Sequence, residues 1–379
     1  MIRSSNLLIT IIAGTCLVFN SLQAQEIPDS IAKPFYIEGS YIGDLVSNLN
    51  GGINQGTTYL GLANLKAGIN TQAAGWWKGG EFRINAANTH GGSPSESFVG
   101  DFQGVSNIEA GNLTFMYELW YKQTIGNLSF TVGLQDLNAN FAITDNGALF
   151  TNSSFGIHPS IADNIPSPIF PLTALGAMVQ YNYNDKLIWQ TAIFDGTPDD
   201  FENNPYNTNW NLSGNDGYLA VTEIQILHSL IHGYFGSCKF GAYFHQHCDS
   251  TTMEQKNKGF YFVGDQMVQR TLNGGISLFS QVGLSPKNEN RNNYYLSLGV
   301  NIKGISQKRS QDEAGIAIAY AGFGQGTRRN ETAVELTYLF SANENIRLKP
   351  DLQYIIHPAG AETNLPNALV GSLRIELDF

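Results

Sequence analysis

Side chains that commonly bind metal ions cluster near residue 247; the group is His245, His247, Cys248 and Asp249. The two histidines are two positions apart, so they share one face of an extended strand. A structural zinc site needs four ligands at characteristic spacings, and the flanking sequence does not complete such a set. The sequence therefore predicts no metal site here, and no cofactor is expected elsewhere.

A second group, Ser153, Ser154 and His158, contains the residue types of a serine hydrolase, an activity that some barrel lipases carry. Neither a nucleophile elbow nor an ordered triad accompanies these residues. Gly322, Gly324 and Gly326 do not open a helix, so they do not indicate a nucleotide-binding loop. An enzyme embedded in a membrane barrel remains an alternative hypothesis, tested by loss of hydrolase activity in Ser154→Ala.

The elements that must position the remaining polar residues are β-strands. Asn112–Gln135 shows the pattern most clearly, because apolar and mostly polar residues alternate on both sides of the link Thr124–Asn127. This period of two predicts an antiparallel hairpin. The apolar face of its first strand comprises Leu113, Phe115, Tyr117, Leu119 and Tyr121. The opposite face comprises Thr114, Met116, Glu118, Trp120 and Lys122.

Similar alternation predicts sixteen strands in all, an even number as in bacterial single-chain barrels. The segments are Phe35–Val46, Tyr59–Asn70, Gly80–Asn88, the two strands of the hairpin, Thr173–Asn184, Leu187–Phe194, Tyr218–His228, Ser237–His247, Gly259–Gln269, Asn273–Gly283, Asn293–Lys303, Ala314–Phe323, Glu331–Phe340, Ile346–His357 and Ala368–Phe379. Alternate links are mostly short, and most of the opposite set are longer and polar. Short periplasmic turns and long external loops are typical of outer-membrane barrels.

Composition agrees with a membrane barrel. Charged residues make up 14% of the chain, against about 25% in an average protein. Leu7–Phe19 is apolar and precedes a small-residue site at Ala24, so residues 1–24 are interpreted as a secretory signal peptide and 25–33 as a short leader. No later segment has the roughly 18 uninterrupted apolar residues of a membrane helix, so residues 34–379 would cross the bilayer as a closed barrel.

The sequence also limits which binding partners are expected. The formal net charge of −11 argues against nucleic acid. Cys238 and Cys248 are ten positions apart on one predicted strand and its outgoing loop, so we expect two free thiols. The last strand ends at Phe379, a terminal residue typical of substrates of the barrel-assembly machinery. Outer-membrane lipid is the expected surrounding; the oligomeric state is not specified by the sequence.

An ordered set of motifs resembles the carbohydrate-selective porin family, known as OprB. The resemblance runs from about residue 35 to residue 379. Its motifs are Gly51-Gly52, Tyr59–Gly61, Asn88–Pro94, Gly104–Glu109, Tyr117–Tyr121, Asn152–Ile157, Pro168–Pro171, Phe194–Gly196, Glu331–Tyr338 and Pro350–Tyr354. It implies a sixteen-stranded outer-membrane channel for monosaccharides and small oligosaccharides. The family often has acids where this chain has Lys122 and Asn140, so selectivity can differ.

A sugar channel needs hydrogen-bonding groups and flat aromatic faces that bind weakly enough to release the permeant. Strand parity and loop position yield these predicted pore-lining residues: Arg83, Glu118, Trp120, Asp136, Asn138, Asp195, Glu223, Glu335, Arg347, Asp351 and Arg374. Parity also turns Glu38, Gln135, Gln225 and Gln353 inward. Some of these residues could instead pair with one another or only solvate the water column.

The longest link, Asp136–Leu172, contains four phenylalanines and four prolines. Loops of this length are seldom without function in compact domains. We expect it to fold into the barrel and narrow it; an external cap on other loops is the alternative. The predicted class is thus an all-β transmembrane antiparallel barrel, and the leading function is passive carbohydrate diffusion without enzyme activity. A non-selective general porin is the nearest competing function.

Overall fold

The computed structural model describes residues 33–248, 254–286, 290–324, 330–360 and 365–379. Sixteen antiparallel strands form one closed barrel in which each strand pairs with its neighbours in sequence and β1 pairs with β16. The strands are β1 Phe35–Asn50, β2 Gly56–Asn70, β3 Gly80–Gly91, β4 Leu113–Ile125, β5 Leu128–Gln135, β6 Ala174–Asn184, β7 Leu187–Asp195, β8 Tyr218–His228, β9 Gly236–Cys248, β10 Glu254–Arg270, β11 Gly275–Leu284, β12 Asn292–Lys303, β13 Glu313–Phe323, β14 Glu331–Ser341, β15 Ile346–Ile356 and β16 Ala368–Asp378. The predicted fold class is confirmed.

Helical structure is confined to short pieces of the links. The only α-helix among the described residues is α1, Pro159–Ala162, and the other helical turns are Ser95–Val99, Leu137–Ala139, Gly147–Leu149, Ser153–Phe155 and Pro358–Gly360. In the described part of the chain, no helix combines the length and apolar character needed to cross a membrane. The predicted signal peptide, residues 1–24, lies outside the described residues.

The barrel has two unlike ends. One end, here called the short-turn end, carries tight connections such as those between β4 and β5 and between β6 and β7. The other, the long-loop end, carries residues 92–112, 136–173 and 196–217. We call residues 92–112 the first inserted loop and residues 136–173 the second inserted loop, because both enter the barrel.

Alternation along the strands separates an apolar outer surface from the interior. On β13, Ile316 and Ile318 are 52% and 44% exposed, whereas Ala317 and Ala319 are 3% and 0% exposed. Strand side chains point alternately to the two faces of a sheet. Apolar residues therefore cover the outside, as contact with hydrocarbon requires. Many inward residues are nevertheless buried, because loops cover them.

Strand β4 departs from the predicted alternation. Asn85 of β3 pairs with Glu118 and Ala86 pairs with Met116, which leaves Tyr117 as an extra, unpaired residue. Such a bulge reverses the faces on one side of it. Phe115 and Tyr117 are accordingly buried inside the barrel, with exposed fractions of 2% and 4%. The prediction that these two residues lie on the outer apolar face is wrong.

Closure of the barrel joins the chain ends. The amide of Phe379 donates to the carbonyl of Gly39 over 2.9 Å, and the amide of Gly39 donates in return over 3.3 Å. On the inner face of the same seam, Arg374 of β16 forms two hydrogen bonds of 2.7 Å with the carboxylate of Asp44 on β1. Both residues are buried, so this ion pair is shielded from solvent.

Candidate functional site

The second inserted loop lies against the inner wall of the barrel. Its Leu137 and Phe141 join a buried cluster with residues of β6 to β10. Its Phe150 and Phe155 pack on Phe279 of β11, with ring centroids 5.6 and 6.0 Å apart respectively. These contacts extend over the inner faces of β6 to β11, which a cap resting on other external loops would not reach.

A glycine on β13 makes one of these contacts possible. A Cβ atom at Gly315 would lie 2.7 Å from Cζ of Phe150 and 2.8 Å from a methyl carbon of Leu149. Both distances are far below van der Waals contact. The loop can therefore rest directly on the strand backbone only because position 315 has no side chain.

Carboxylates on the wall hold the second inserted loop in place. Glu223 accepts the amide of Ala142 over 2.9 Å. Glu335 accepts the amides of Thr151 and Asn152 over 2.5 and 3.0 Å. Both carboxylates are buried, with exposed fractions of 1% and 0%. Charge-assisted hydrogen bonds in a shielded site are the strong ones, so these carboxylates anchor the loop.

Asp265 of β10 fastens the tip of the same loop. Its carboxylate accepts the hydroxyl of Thr144 over 2.8 Å and the amide of Asn146 over 3.1 Å. The side-chain amide of Asn146 and the backbone amide of Asp145 also donate to it, over 2.8 and 3.3 Å. Asp265 was not among the predicted site residues. It shares the inward parity of Tyr261 and Val263 on β10, whereas Phe260 and Phe262 have the outward parity, and this alternation was a usable signal.

The first inserted loop, whose entry was not predicted, is held in the same way. Glu331 accepts the amides of Phe102 and Gln103 over 2.7 and 2.9 Å. The two inserted loops also bind each other: the amide of Asn107 donates to the carbonyl of Thr151 over 2.9 Å. Both loops thus form one body inside the barrel, anchored to its wall.

Three further predicted pore residues lie beneath this body. Arg374 donates to the side-chain oxygen of Asn107 over 2.8 Å in addition to pairing with Asp44. Arg347 pairs with Glu376 over 2.8 Å. Asp351 accepts the side-chain amide of Gln353 over 3.1 Å. All three are buried and held by protein groups; their contact with a permeant stays a prediction.

A different arrangement occurs on the wall formed by β1 to β4 towards the short-turn end. The guanidinium carbon of Arg83 lies 5.1 Å from the ring centroid of Trp120, a cation–π contact. Arg83 also donates to the hydroxyl of Tyr36 over 3.1 Å. The indole nitrogen of Trp120 donates to Glu118 over 3.3 Å. Arg83 and Trp120 are only partly buried, and Glu118 lies largely buried beside them.

The remaining predicted residues lie at the end of a strand or in the second inserted loop. Asp136, at the root of the second inserted loop, accepts the hydroxyl of Tyr117 and the amide of Asn138, the latter over 2.7 Å. Burial raises the pKa of Asp136 to about 7, against the lowering effect of those hydrogen bonds. Asn138 itself donates to the carbonyl of Phe141 over 3.2 Å. Asp195 ends β7 at the long-loop end and accepts the amide of Thr197 over 3.2 Å.

The residues with catalytic or ligand character have ordinary contacts. The rings of His245 and His247 lie 4.8 Å apart, and His245 bonds the carbonyl of Gly196 over 2.7 Å. Asp249 lies outside the described residues, and within the described ones no group of three or more His, Cys, Asp or Glu side chains is placed to hold a metal ion. Cys238 and Cys248 are both free, as predicted.

The suspected hydrolase residues are not arranged as nucleophile and base. The hydroxyl of Ser154 donates to the side-chain oxygen of Asn152 over 2.7 Å. His158 instead bonds the hydroxyl of Ser160 over 2.6 Å. All of these groups are buried, and burial lowers the pKa of His158 to about 3. The neutral imidazole ring of His158 packs between the loop and the wall.

Comparison with known proteins shows which family and which solved structures this chain resembles. A family model described as carbohydrate-selective porin, OprB family, matches residues 54–379. Porin B of Pseudomonas aeruginosa is 23% identical over 411 residues, covering 92% of this chain and 88% of that protein. The high-pH structure of Pseudomonas putida OprB is similar with a TM-score of 0.82 at 21% identity, covering 91% of this chain and 94% of that one. The low-pH structure of the same protein gives 0.60 at 18% identity, covering 91% and 93%.

These structural similarities are below 25% identity and establish the shared barrel fold. The family model carries the assignment, because it spans nearly all of the barrel, in agreement with the motifs that run in the same order through the sequence. The chain therefore belongs to the carbohydrate-selective porin, OprB family.

Proposed function

We propose that this outer-membrane channel passes neutral monosaccharides and small oligosaccharides by passive diffusion, without catalysing a reaction. The observation that supports it best is the body of two inserted loops, which is fixed to the wall by buried carboxylates and fills part of the barrel. A body held in this way narrows the passage, so that a permeant has to touch the wall as it crosses. Selectivity then depends on the chemistry of the wall that the loops leave uncovered.

We infer that Trp120, Arg83 and Glu118 form a contact surface for sugar on that wall. The C–H face of a pyranose packs on an indole ring, while guanidinium and carboxylate groups exchange hydrogen bonds with hydroxyls. Each contact is weak and partly open to water, which permits release. Since the two charges have opposite sign, the surface attracts hydroxyls without strongly concentrating either ion.

Planar-bilayer recording tests the proposal. The purified protein should form open channels whose ion current falls as glucose or maltose is added, with saturation. A current that is independent of sugar would instead identify a non-selective porin. Hydrolysis of a lipid ester that disappears in Ser154→Ala would identify an enzyme. Either of these two results would overturn the proposal.

We also propose that residues 1–24 form an export signal cleaved after Ala24, that 25–33 remain as a leader, and that 34–379 form the barrel. The assembly machinery would recognise the last strand through Phe379, whose side chain is 77% exposed. Amino-terminal sequencing of the protein from outer membranes checks the cleavage site. Slower membrane insertion of a Phe379-deleted chain checks the recognition.

A further inference from the structure

A cavity of about 510 Å³ lies at the short-turn end, between the tip of the second inserted loop and the wall formed by β10 to β14. Binding sites for small organic molecules typically measure roughly 300–1,000 Å³. The cavity is therefore large enough for a monosaccharide or disaccharide. It lies on different strands from the Trp120 surface, which belongs to β3 and β4.

The wall side of the cavity is a continuous polar patch on three adjacent strands. Ser277 of β11 is the cross-strand neighbour of Asn301 on β12. Lys303 of β12 is the neighbour of Glu313 on β13, and the two form an ion pair of 2.9 Å. The side-chain amide of Asn301 donates to Glu313 over 3.1 Å.

Asn301 carries an unused hydrogen-bonding group at this site. Its side chain is only 7% exposed, and its Oδ1 atom has no hydrogen-bond partner among the described residues. A buried polar atom without a partner is costly. Because this atom is buried, the polar groups that a molecule in the cavity meets directly are those of Lys303 and Glu313, whose side chains are 41% and 11% exposed.

The loop side of the cavity is held rigidly. Asp145 and Asn146 line it, and the four hydrogen bonds to Asp265 fix this part of the loop to β10. Leu149 and Met267 add apolar surface. The lining thus combines hydrogen-bonding groups, charges of both signs and apolar carbons in a half-open cavity, a combination that suits a neutral, hydroxyl-rich ligand.

We propose that this cavity is a second, short-turn-side binding station for neutral sugars, a reading that rests on the proposed channel function. Hydroxyls of the sugar bond the Lys303–Glu313 pair and Asp145, and a C–H face contacts Leu149. The balance of charge in the lining favours a neutral sugar over a sugar acid or an amino sugar.

The test is current block of the full-length channel by maltose in planar bilayers. Asn301→Leu removes, at nearly constant volume, the side chain that donates to Glu313, and Lys303→Met removes a partly exposed cation that is less critical for folding. Each variant should raise the maltose dissociation constant about fivefold while open-channel conductance changes by less than half. The matched control is Gln180→Leu, which removes an inward amide from β6, outside the cavity.

Independence from the Trp120 surface sharpens the test. In a double variant of Trp120→Ala and Lys303→Met, the two fold-changes should multiply, because the stations share no residue. Unchanged maltose block in both cavity variants, with normal block in the parent, would overturn the second station and leave the channel function intact. Absence of sugar block in the parent protein would instead overturn the channel function itself.

Discussion

The inner wall of the barrel has two regions that use charged residues differently. On β8 to β14, Glu223, Asp265 and Glu335 are buried and accept backbone amides of the inserted loop. On β3 and β4, Arg83 and Trp120 are partly open and contact each other across neighbouring strands. The inward orientation of a polar side chain therefore does not by itself identify a residue that touches the permeant. Some of these residues instead hold the loops that shape the passage.

The largest effect should come from removing an anchor. In Glu335→Ala, the amides of Thr151 and Asn152 lose their acceptor in a buried site, which costs about 2–4 kcal/mol of stability. The loop should loosen, so single-channel conductance should rise and become noisier. Thermal unfolding in detergent and bilayer recording measure the two effects.

Glu38→Ala is the matched control for that change, because Glu38 also has inward parity but is exposed on β1. It should leave both the melting temperature and the noise nearly unchanged. If Glu335→Ala behaves like this control, the division between anchoring and water-facing regions does not hold.

A smaller effect concerns pH at the root of the second inserted loop. The folded-state pKa of Asp136, about 7, lies above the usual value near 4 of an unfolded aspartate. Its contribution to stability is therefore full below about pH 4 and is lost as pH rises through about 7. Channel noise should fall on acidification from pH 8 to pH 5.

Asp136→Asn should weaken that pH dependence, because asparagine cannot gain a proton in this range. Asp185→Asn, in the exposed turn between β6 and β7, serves as the control and should retain the parent profile. An unaltered profile in Asp136→Asn would assign the pH response to another part of the channel.

The next effect, no larger than the pH effect at Asp136, is expected on the water-facing wall formed by β3 and β4. Trp120→Ala should weaken sugar block by roughly fivefold, equivalent to about 1 kcal/mol, the scale of an aromatic contact. Open-channel ion conductance should stay close to that of the parent. Tyr121→Ala, which changes the adjacent outward side chain, should leave the block unchanged; equal effects of both variants would contradict the assignment.

The smallest effect should come from Arg83→Gln. Arg83 lies 3.7 Å from Glu81 and is partly open to water, so salt screens its field. We expect cation permeability relative to anions to rise by less than about twofold, measured from the reversal potential in a salt gradient. Lys78→Gln, in the exposed β2–β3 turn, should give no shift.

Most of the fold could be predicted because strand geometry is a local property. The period-two pattern located all sixteen strands, and β8 has the predicted bounds Tyr218–His228. The β4 bulge could not be predicted, because Leu113, Phe115, Tyr117 and Leu119 continue an unbroken apolar alternation. The bulge depends on the pairing of β4 with β3 and on the position of Tyr117 beside Asp136. The spacing of apolar residues within β4 carries no information about either contact.

The sequence by itself determined a closed barrel with an apolar outside and a polar inside, because a two-residue period and a hydrocarbon surrounding leave one arrangement that satisfies every backbone group. Only the tertiary structure decided which inward residues are anchors and which face water. That division depends on where the two loops rest, and they rest where Glu223, Glu335 and Glu331 meet their amides across long stretches of sequence. Contacts between residues so far apart in the chain leave no periodic signal along it.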